Sequence, residues 1–374
     1  MMKRMVLISV SLLLCILPFA AGAESSVYTL MDEQGNVVAR YCGECEAGDE
    51  YISQDNQHYR ITAVDEAKLQ ATVENLGPAD MPDVSWLEVE ESQPVGAMLQ
   101  RKIALYCTHS DESYIKGDGT ESVEGSGGIY DIAHLFGSHL EKLGASVEIS
   151  DETHLPHDAG AYRRSRQTAV QLLKAQPNAI FDIHRDGIPD PDEYATTVGT
   201  EEMSKVRLLV GKSNQNKDAN LSFAKQIKAV GDKVYPGLIK DIYMGKGTYN
   251  QDLAPRSVLL EFGTHTLDKN LVEAATKPMS EVVYKALFGG VVGSAGASDV
   301  RGSAPEQQEA PAEIPAVDDN AGSGWVIWLI VALVAGLGIF AFLSTGGKGG
   351  MNKFGRSFSE MTGGLFGKKP KKDQ

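Results

Sequence analysis

The sequence predicts an α/β protein whose mostly parallel sheet carries helices on both faces, preceded by a small β unit and followed by a C-terminal transmembrane helix. Three observations support this prediction. Strand and helix patterns alternate along residues 101–289, which is typical of a sheet covered by helices. Shorter alternating runs occupy residues 24–77. An uncharged apolar segment covers residues 325–343 and is long enough to cross a bilayer.

The N-terminus has the features of a secretory signal peptide over residues 1–23. Lys3 and Arg4 precede an apolar run, and small residues follow that run just before Glu24. A basic start, an apolar middle and a small-residue cleavage site are the three parts of such a signal. The body of the chain is therefore expected to be exported, and the sequence leaves open whether the signal is cleaved.

Residues 24–77 predict a small β domain built from two hairpins, with turns at Gly35-Asn36 and Asp55-Asn56. The motif CGEC places Cys42 and Cys45 between the hairpins. In an exported chain this spacing fits a local disulfide or two free thiols, with a redox pair as a further alternative. Residues 78–100 are rich in proline and acid and are expected to be a linker.

The domain predicted over residues 101–289 contains the strands and helices that should build the main sheet. Ligands of such sheets bind outside the carboxyl ends of the strands. The predicted strands are KIALYCTH, ASVEI, AIFDIHRD, KVRLLVG and SVLLEFGT; the predicted helices are GGIYDIAHLFGSHLEKLG, YRRSRQTAVQLLKA, NLSFAKQIKAVGDKVYPG and KNLVEAATKPMSEVVYKALFGG.

The sequence of residues 290–374 predicts a membrane anchor. Residues 290–324, rich in Ala, Gly, Pro, Ser and acid, are expected to form a disordered stalk. The span 325–343 begins with two tryptophans, and the tail 344–374 is basic. The positive-inside rule therefore predicts a single-pass protein of the cell membrane with a cytoplasmic tail and an extracytoplasmic body. The net charge of −15 argues against nucleic acid as a partner.

Three predicted strands end in residues that can bind a metal or move a proton. His109 follows the first strand, FDIHRDG places Asp182, His184 and Asp186 on one side of another, and Glu261 interrupts an apolar third strand. Two histidines with one or two carboxylates at one sheet edge match a catalytic zinc site, which uses three protein ligands. A glutamate that is not a ligand then serves as the general base.

Further residues near these strand ends are candidates for supporting roles. Glu112 follows His109 at the spacing H-x-x-E and is a candidate ligand. Asp182 or Asp186 could orient His184 through its second ring nitrogen. His157 lies in the loop after the second strand and is a candidate for contact with substrate or metal.

Several of these motifs, in this order, resemble the stage II sporulation protein P family over roughly residues 27–287. The resemblance implies a zinc-dependent peptidoglycan hydrolase, related to the N-acetylmuramoyl-L-alanine amidases, that acts in forespore engulfment. It also implies possible cleavage of peptide cross-links, and peptidoglycan, the membrane, a companion lytic transglycosylase and the engulfment complex as partners. The motifs are YCTHSDESY, GGIYDIA, FDIHRDG, VGKSNQN and YNQDLAPRSVLLEFGTHTLDKN.

Carried over residue by residue, the resemblance makes His109 and His184 the zinc histidines and Glu261 the essential glutamate of a zinc amidase-like catalytic domain. The remaining ligand is assigned to Glu112. In the broader amidase family it comes from the start of the next helix, where Glu121 and Glu124 are the alternatives.

The sequence leaves open which residues bind the substrate and which reaction the protein catalyses. Arg166 and Arg185 are candidates to hold the acidic stem peptide. One alternative activity is a pure peptidoglycan endopeptidase or carboxypeptidase. Another is a non-catalytic wall-binding scaffold at the engulfing membrane, which the presence of both histidines and Glu261 argues against.

Overall fold

The computed structural model describes residues 26–88, 101–158 and 160–289 of the 374-residue chain. The predicted signal peptide, stalk, membrane span and tail lie outside this part, as do residues 89–100 of the predicted linker. Among the described helices, none has both the length and the apolar character needed to cross a bilayer.

The described part of the chain contains thirteen strands and five helices. The strands are β1 (Val27–Met31), β2 (Val37–Cys42), β3 (Glu50–Ile52), β4 (Gln57–Asp65), β5 (Gln70–Pro78), β6 (Lys102–Tyr106), β7 (Ser146–Ile149), β8 (Ala179–Asp186), β9 (Ala195–Val198), β10 (Glu201–Ser204), β11 (Val206–Gly211), β12 (Ile239–Gly245) and β13 (Ser257–Thr264). The helices are α1 (Ile115–Asp118), α2 (Ile129–Lys142), α3 (Ala161–Leu173), α4 (Lys217–Val234) and α5 (Lys269–Phe288).

Eleven of these strands form one mixed sheet in the order β2-β1-β5-β4-β3-β12-β11-β13-β8-β6-β7. The predicted α/β class is confirmed, but the prediction of a mostly parallel sheet is wrong for the sheet as a whole. Pairing is antiparallel throughout β3, β4 and β5, between β1 and β2, and where β3 meets β12. Within the main domain, β11 also runs antiparallel to β13, whereas the remaining pairs are parallel.

The reversal of β11 has a local cause. A parallel crossover needs a dozen or more residues, which usually form a helix. The segment between β8 and β11 instead holds the two-stranded hairpin of β9 and β10. The chain therefore enters β11 from the edge at which β8 ends. The sequence patterns had indicated neither this hairpin nor β12.

The two faces of the sheet are covered differently. Helices α2, α4 and α5 pack on one face, here called the back face, through residues such as Phe136, Phe223 and Val282. In α2 the buried residues recur with helical spacing, which gives the apolar stripe that a sheet-packed helix needs. Helix α3 covers β6 and β8 on the opposite, front face. Helices do lie on both faces, as predicted, but among the helices of the described residues that pack on the sheet only α3 lies on the front.

The N-terminal strands curl over the front face beside β11, β12 and β13. Although β2 is at the far edge of the sheet, its Tyr41 ring stacks on Tyr243 of β12 with the centroids 3.6 Å apart. Both rings belong to one buried cluster with Leu209 and Leu259. The front face is therefore left uncovered mainly between α3 and β2, and the polar residues of the main domain point into this gap.

Candidate active site

Strands β6, β8 and β13 bring the predicted site residues to one edge of the sheet. The three strands are adjacent and parallel, so their carboxyl ends coincide. Glu261 is directly opposite His184 in the pairing of β13 with β8. His109 follows β6, and the segment before it is fixed to β8 because Asp182 accepts hydrogen bonds from Thr108 N at 2.8 Å and Thr108 Oγ1 at 2.6 Å. Asp182 thus holds the loop that presents His109.

Glu112 lies between two imidazole rings. Its Oε1 is 3.2 Å from His109 Nδ1 and its Oε2 is 3.5 Å from His184 Nδ1. The His109 and His184 rings meet edge to face with centroids 4.9 Å apart. The carboxylate is 4% exposed, and Arg185 N donates to it at 3.0 Å. Glu112 therefore lies between His109 and His184, and the role of these three residues as metal ligands stays a prediction.

His157 also reaches this cluster. Its ring stacks on His109 with centroids 4.0 Å apart, and Asp111 Oδ1 lies 2.9 Å from its Nδ1. In the described part of the chain, the group that could hold a metal ion, with ligand atoms within 4.8 Å of one another, is His109, Glu112 and His157, and it does not include His184. The structure thus brings His157 beside the predicted ligands, and it offers a third imidazole for a metal.

The alternative carboxylate ligands lie elsewhere. Glu121 is exposed, and its Oε2 is 3.7 Å from His265 Nε2. Glu124 is also exposed. Of the three candidate glutamates, only Glu112 contacts both imidazoles, and the choice among them stays a prediction supported by this geometry.

The ring of His184 has an unusual environment. It is 3% exposed, and its Nε2 makes no hydrogen bond with another described residue. Asp182 Oδ1 is 3.0 Å away, but it lies outside the direction that a ring N–H would need for a hydrogen bond. A buried imidazole nitrogen without a partner is costly in an apolar interior. The other ring nitrogen, Nδ1, is the one that faces Glu112, so a metal bound by Glu112 would take His184 through Nδ1.

The electrostatics of the cluster favour the ionised form of Glu112. Burial opposes ionisation, but the charge of His184 and the hydrogen bond with His109 outweigh it and hold the pKa of Glu112 well below its usual range. Burial lowers the pKa of His109, which keeps that ring neutral. Burial lowers the pKa of His184, but the charges of Asp182 and Glu112 outweigh it and raise that pKa well above its usual range, so a metal bound there would have to displace a proton.

Glu261 is buried in a different environment, 8% exposed on β13. The hydroxyl of Tyr194 lies 3.1 Å from its Oε2 and 2.6 Å from Oδ2 of Asp186. Burial, followed by the charge of Asp186, raises the pKa of Glu261 well above its ordinary value, while Arg207 opposes the shift. A carboxylate with a raised pKa is suited to accept and return a proton near neutral pH.

The end of strand β13, just after Glu261, is irregular. The pairing with β8 is irregular between Glu261 and Thr264. Gly263, within this stretch, has a φ of +68°, and a Cβ there would lie 2.9 Å from Ser204 Oγ and from Val272 Cγ2. The irregularity requires glycine, and it ends the regular strand just beyond the acid.

Arg207 lies beside Glu261 in the candidate site, and the sequence reasoning missed it. It is fully buried on β11, directly opposite Glu261 in the register. Its guanidinium group donates to both carboxylate oxygens of Asp241 at 2.7 and 3.0 Å and to Asp186 Oδ2 at 2.8 Å, and it lies 3.6 Å from Glu261 Oε2. The signal was present, because a charge inside the apolar run KVRLLVG raises the same question as the glutamate inside VLLEFG.

The two arginines predicted to hold substrate are already engaged within the chain. Arg166 forms a paired interaction with Asp252 at 2.8 and 2.6 Å. The side chain of Arg185 donates to the main-chain oxygens of Ser113 and Glu121 at 2.9 Å each. Both therefore brace loops around the site, and their contact with substrate stays a prediction.

Cys42 and Cys45 of the CGEC motif are not joined to each other by a disulfide in the structure. Cys42 lies beside the loop after β8, because a Cβ at Gly187 would come within 2.5 Å of its Sγ. Burial, together with Asp186, raises the pKa of Cys42 to about 12, and burial raises that of Cys45 to about 11. Thiols with such pKa values are weak nucleophiles at neutral pH.

The sequence model of the stage II sporulation protein P (SpoIIP) family matches residues 32–284, which include all the site residues described above. The chain belongs to the stage II sporulation protein P family. A curated relative, stage II sporulation protein P of Bacillus subtilis (strain 168), is 31% identical over 212 residues. The match covers 50% of this chain and 52% of the relative, so this SpoIIP family member spans about half the length of the curated relative it matches.

Solved structures of N-acetylmuramoyl-L-alanine amidases also match weakly. AmiC2 of Nostoc punctiforme is 13% identical with a TM-score of 0.33, and it covers 51% of this chain and 96% of its own. The amidase of Clostridium difficile 630 is 14% identical with a TM-score of 0.33, covering 54% and 98%. The CwlD amidase of Clostridioides difficile, solved with the GerS lipoprotein, is 18% identical with a TM-score of 0.30, covering 50% and 95%. Similarities of this size do not assign an activity.

Proposed function

We propose that this SpoIIP family member is a metal-dependent peptidoglycan hydrolase that cleaves the amide bond between the lactoyl group of the glycan and L-alanine. One observation carries the proposal. The buried carboxylate of Glu112, which lies between the half-buried imidazole of His109 and the buried imidazole of His184, is at the same sheet edge as a second buried carboxylate, Glu261, whose pKa is raised. Ligands on one side and a base on the other are the two parts of a hydrolytic metal site.

The residues present fit a zinc ion. His109, Glu112 and His184 would hold it, with His157 as a further ligand candidate. The set consists of nitrogen and oxygen donors, as zinc prefers, and Nδ1 of both His109 and His184 faces the carboxylate of Glu112. When bound, zinc supplies Lewis-acid chemistry: it acidifies water and polarises a carbonyl group.

The chain's own residues supply the remaining steps. Glu261 takes the proton of the attacking water and then returns it to the leaving amine nitrogen. Tyr194 and Arg207 hold the carboxylate of Glu261 against Asp186, which fixes its direction. Asp182 keeps the loop with His109 in place.

Digestion of purified cell wall by the purified full-length chain tests the proposal. The products are separated and identified by mass spectrometry, with zinc, with a chelator, and with zinc restored. An amidase leaves glycan without lactoyl-linked peptide, whereas an endopeptidase or carboxypeptidase leaves the lactoyl–alanine bond intact. Glu261→Gln serves as the inactive variant, and Glu148→Gln, on edge strand β7, is the matched control.

We expect chelator-sensitive release of whole stem peptides that Glu261→Gln abolishes and Glu148→Gln retains. Release of cross-link fragments alone would replace the amidase by an endopeptidase. An intact wall, with no peptide released under any condition, would contradict hydrolysis and favour a wall-binding scaffold.

We further propose that the protein is anchored in the cell membrane by residues 325–343, with its hydrolytic part outside and its tail in the cytoplasm. The basic tail and the signal-like N-terminus support this arrangement. The family resemblance supports a companion lytic transglycosylase during engulfment. Protease added to intact cells should cut the predicted stalk 290–324 and spare residues 344–374; cleavage within the tail would reverse the orientation.

A further inference from the structure

Tyr162 lies against the candidate active site and takes no part in the proton transfer assigned to Glu261. It is the second residue of α3, and its ring meets the His109 ring edge to face with centroids 5.5 Å apart. The same ring is nearly parallel to that of His184, with an interplanar angle of 16° and centroids 6.2 Å apart. The phenol therefore lies beside both imidazoles of the predicted site.

The hydroxyl group of Tyr162 is open to a ligand. It makes no hydrogen bond with another described residue, whereas the buried hydroxyl of Tyr114 donates to Phe262 O at 2.9 Å. Tyr162 is partly exposed, and its oxygen is not one of the enclosed polar atoms that lack a partner in the described ranges. Burial, followed by the charge of Asp182, raises the pKa of Tyr162 well above its usual value. The group is therefore a hydrogen-bond donor at neutral pH, and water or a substrate can reach it.

The position of the Tyr162 ring is fixed by the turn that follows β12. Asn250 Nδ2 donates to the main-chain oxygen of Tyr162 at 3.1 Å and to Ser165 Oγ at 3.0 Å. The ring of Tyr249 meets the Tyr162 ring edge to face with centroids 5.3 Å apart. Tyr249 and Asn250 have φ values of +49° and +56°, which non-glycine residues adopt rarely and mostly where function requires it. The strained turn thus holds the phenol against the imidazoles.

A donor at this position has a chemical use. Hydrolysis of an amide places negative charge on the carbonyl oxygen, which nearby carboxylates repel and a fixed hydrogen-bond donor stabilises. Glu112 and Tyr162 each contact both imidazoles, and Tyr162 is the one of the two that can donate. The side chain of Arg185 is occupied by main-chain oxygens.

We propose that the hydroxyl group of Tyr162 donates a hydrogen bond to the oxygen of the scissile carbonyl group and stabilises the negative charge that develops there. Tyr162 keeps its proton throughout, and Glu261 remains the group that takes a proton and returns it. Tyr162 is thus a further catalytic residue of the hydrolase function proposed above, on which this inference rests.

The variant Tyr162→Phe tests the proposal, because it removes the hydroxyl and keeps the ring. Tyr235→Phe is the matched control: it removes a hydroxyl at the end of α4, where the partner is Glu281. The purified full-length chains are loaded with zinc, and kcat and KM are measured on a soluble disaccharide–tetrapeptide muropeptide. Calorimetry gives the affinity for a phosphinate analogue of the same muropeptide, in which phosphorus replaces the scissile carbonyl carbon. Zinc content and melting temperature are measured on each chain.

We expect Tyr162→Phe to keep its zinc and its melting temperature. Its kcat should fall about 10²–10³-fold with KM nearly unchanged, and its affinity for the phosphinate should fall by a similar factor. Tyr235→Phe should match the wild type in every measurement.

Two results for Tyr162→Phe would overturn the proposal. Unchanged kcat and unchanged phosphinate affinity would show that the hydroxyl does not contact the reacting oxygen. Loss of zinc would show that the ring supports the metal ligands instead. Failure of the hydrolase is distinguished by the wild type: no turnover by the wild-type chain would contradict the hydrolase and the role of Tyr162 together, whereas equal turnover by wild type and Tyr162→Phe would contradict the role of Tyr162 alone.

Discussion

Replacing Arg207 by methionine should destabilise the protein more than any surface charge change. The guanidinium group is completely buried and makes four hydrogen bonds, two to Asp241, one to Asp186 and one to the main-chain oxygen of Arg40 at 2.8 Å. Methionine fills the space of the aliphatic stem and leaves the carboxylates of Asp241 and Asp186 without their cation.

The magnitude follows from the buried charges left behind. Removing one partner of a buried ion pair typically costs about 3–5 kcal/mol. Since whole domains are stable by only about 5–15 kcal/mol, this is a large share of the free energy of unfolding. For a folded part of this size the loss lowers the melting temperature by roughly 6–20 °C.

Chemical denaturation of the purified chain measures the loss, with Arg60→Met as the control. Arg60 also pairs with two glutamates, Glu50 and Glu74, but its side chain is 45% exposed, so its removal should cost about 1 kcal/mol or less. The double variant Arg207→Met with Asp241→Asn should regain part of the loss, because it leaves one buried carboxylate fewer.

The single variant Arg207→Met should also change the pH dependence of kcat/KM. Arg207 opposes the rise in the pKa of Glu261, so its removal should raise that pKa further. The acid limb of kcat/KM, below which Glu261 is protonated and cannot act as a base, should therefore move to higher pH. A loss of stability equal to that of Arg60→Met, together with an unmoved acid limb, would refute the role given to Arg207.

Three more predictions concern the candidate site. Glu261→Gln should keep its zinc, measured by metal analysis, whereas its rate of wall digestion should fall about 10²–10⁴-fold, because the variant loses a base and no ligand. Loss of zinc from Glu261→Gln as complete as from a ligand variant would make Glu261 a ligand. Glu112→Ala should purify largely without zinc while Glu124→Ala retains it, and the reverse would move the ligand to the loop. In the wild type, activity should fall with decreasing pH at a midpoint well above that of an ordinary glutamate, since burial and Asp186 raise the pKa of Glu261; a midpoint near 4.5 would contradict this.

The sheet edge that carries the site could be predicted from the sequence, because each of the three strands has a polar residue near its carboxyl end. His109 lies just after β6, and His184 and Glu261 lie near the ends of the largely apolar strands β8 and β13. Parallel neighbours place these strand ends together. The alternation of residues in FDIHRDG predicts which side chains share a face of the sheet. That His184 and Glu261 are neighbours follows from the register of β8 with β13, in which the two residues are opposite each other.

Strand direction was not predictable in the same way. Residue periodicity identifies KVRLLVG as a strand but carries no information about which neighbour it pairs with or in which sense. Only the hairpin of β9 and β10 reverses β11, and that hairpin sets Arg207 opposite Glu261. A reading that took each strand as parallel therefore placed the start of β11 at the wrong edge, and Arg207 was overlooked.

The pairing of β3 with β12 has a consequence for how the chain folds. It joins segments far apart in the sequence, and the hydrogen bond from the Tyr243 hydroxyl to Asp49 Oδ2, at 3.1 Å, spans 194 residues. Contacts of such separation slow folding, and a strand edge that waits for its partner is open to other chains. Until β12 has been synthesised, the backbone hydrogen-bonding groups on the free edge of β3 have no partner strand. Fragments that end before residue 239 are thus expected to associate with one another rather than to persist as a small independent β domain.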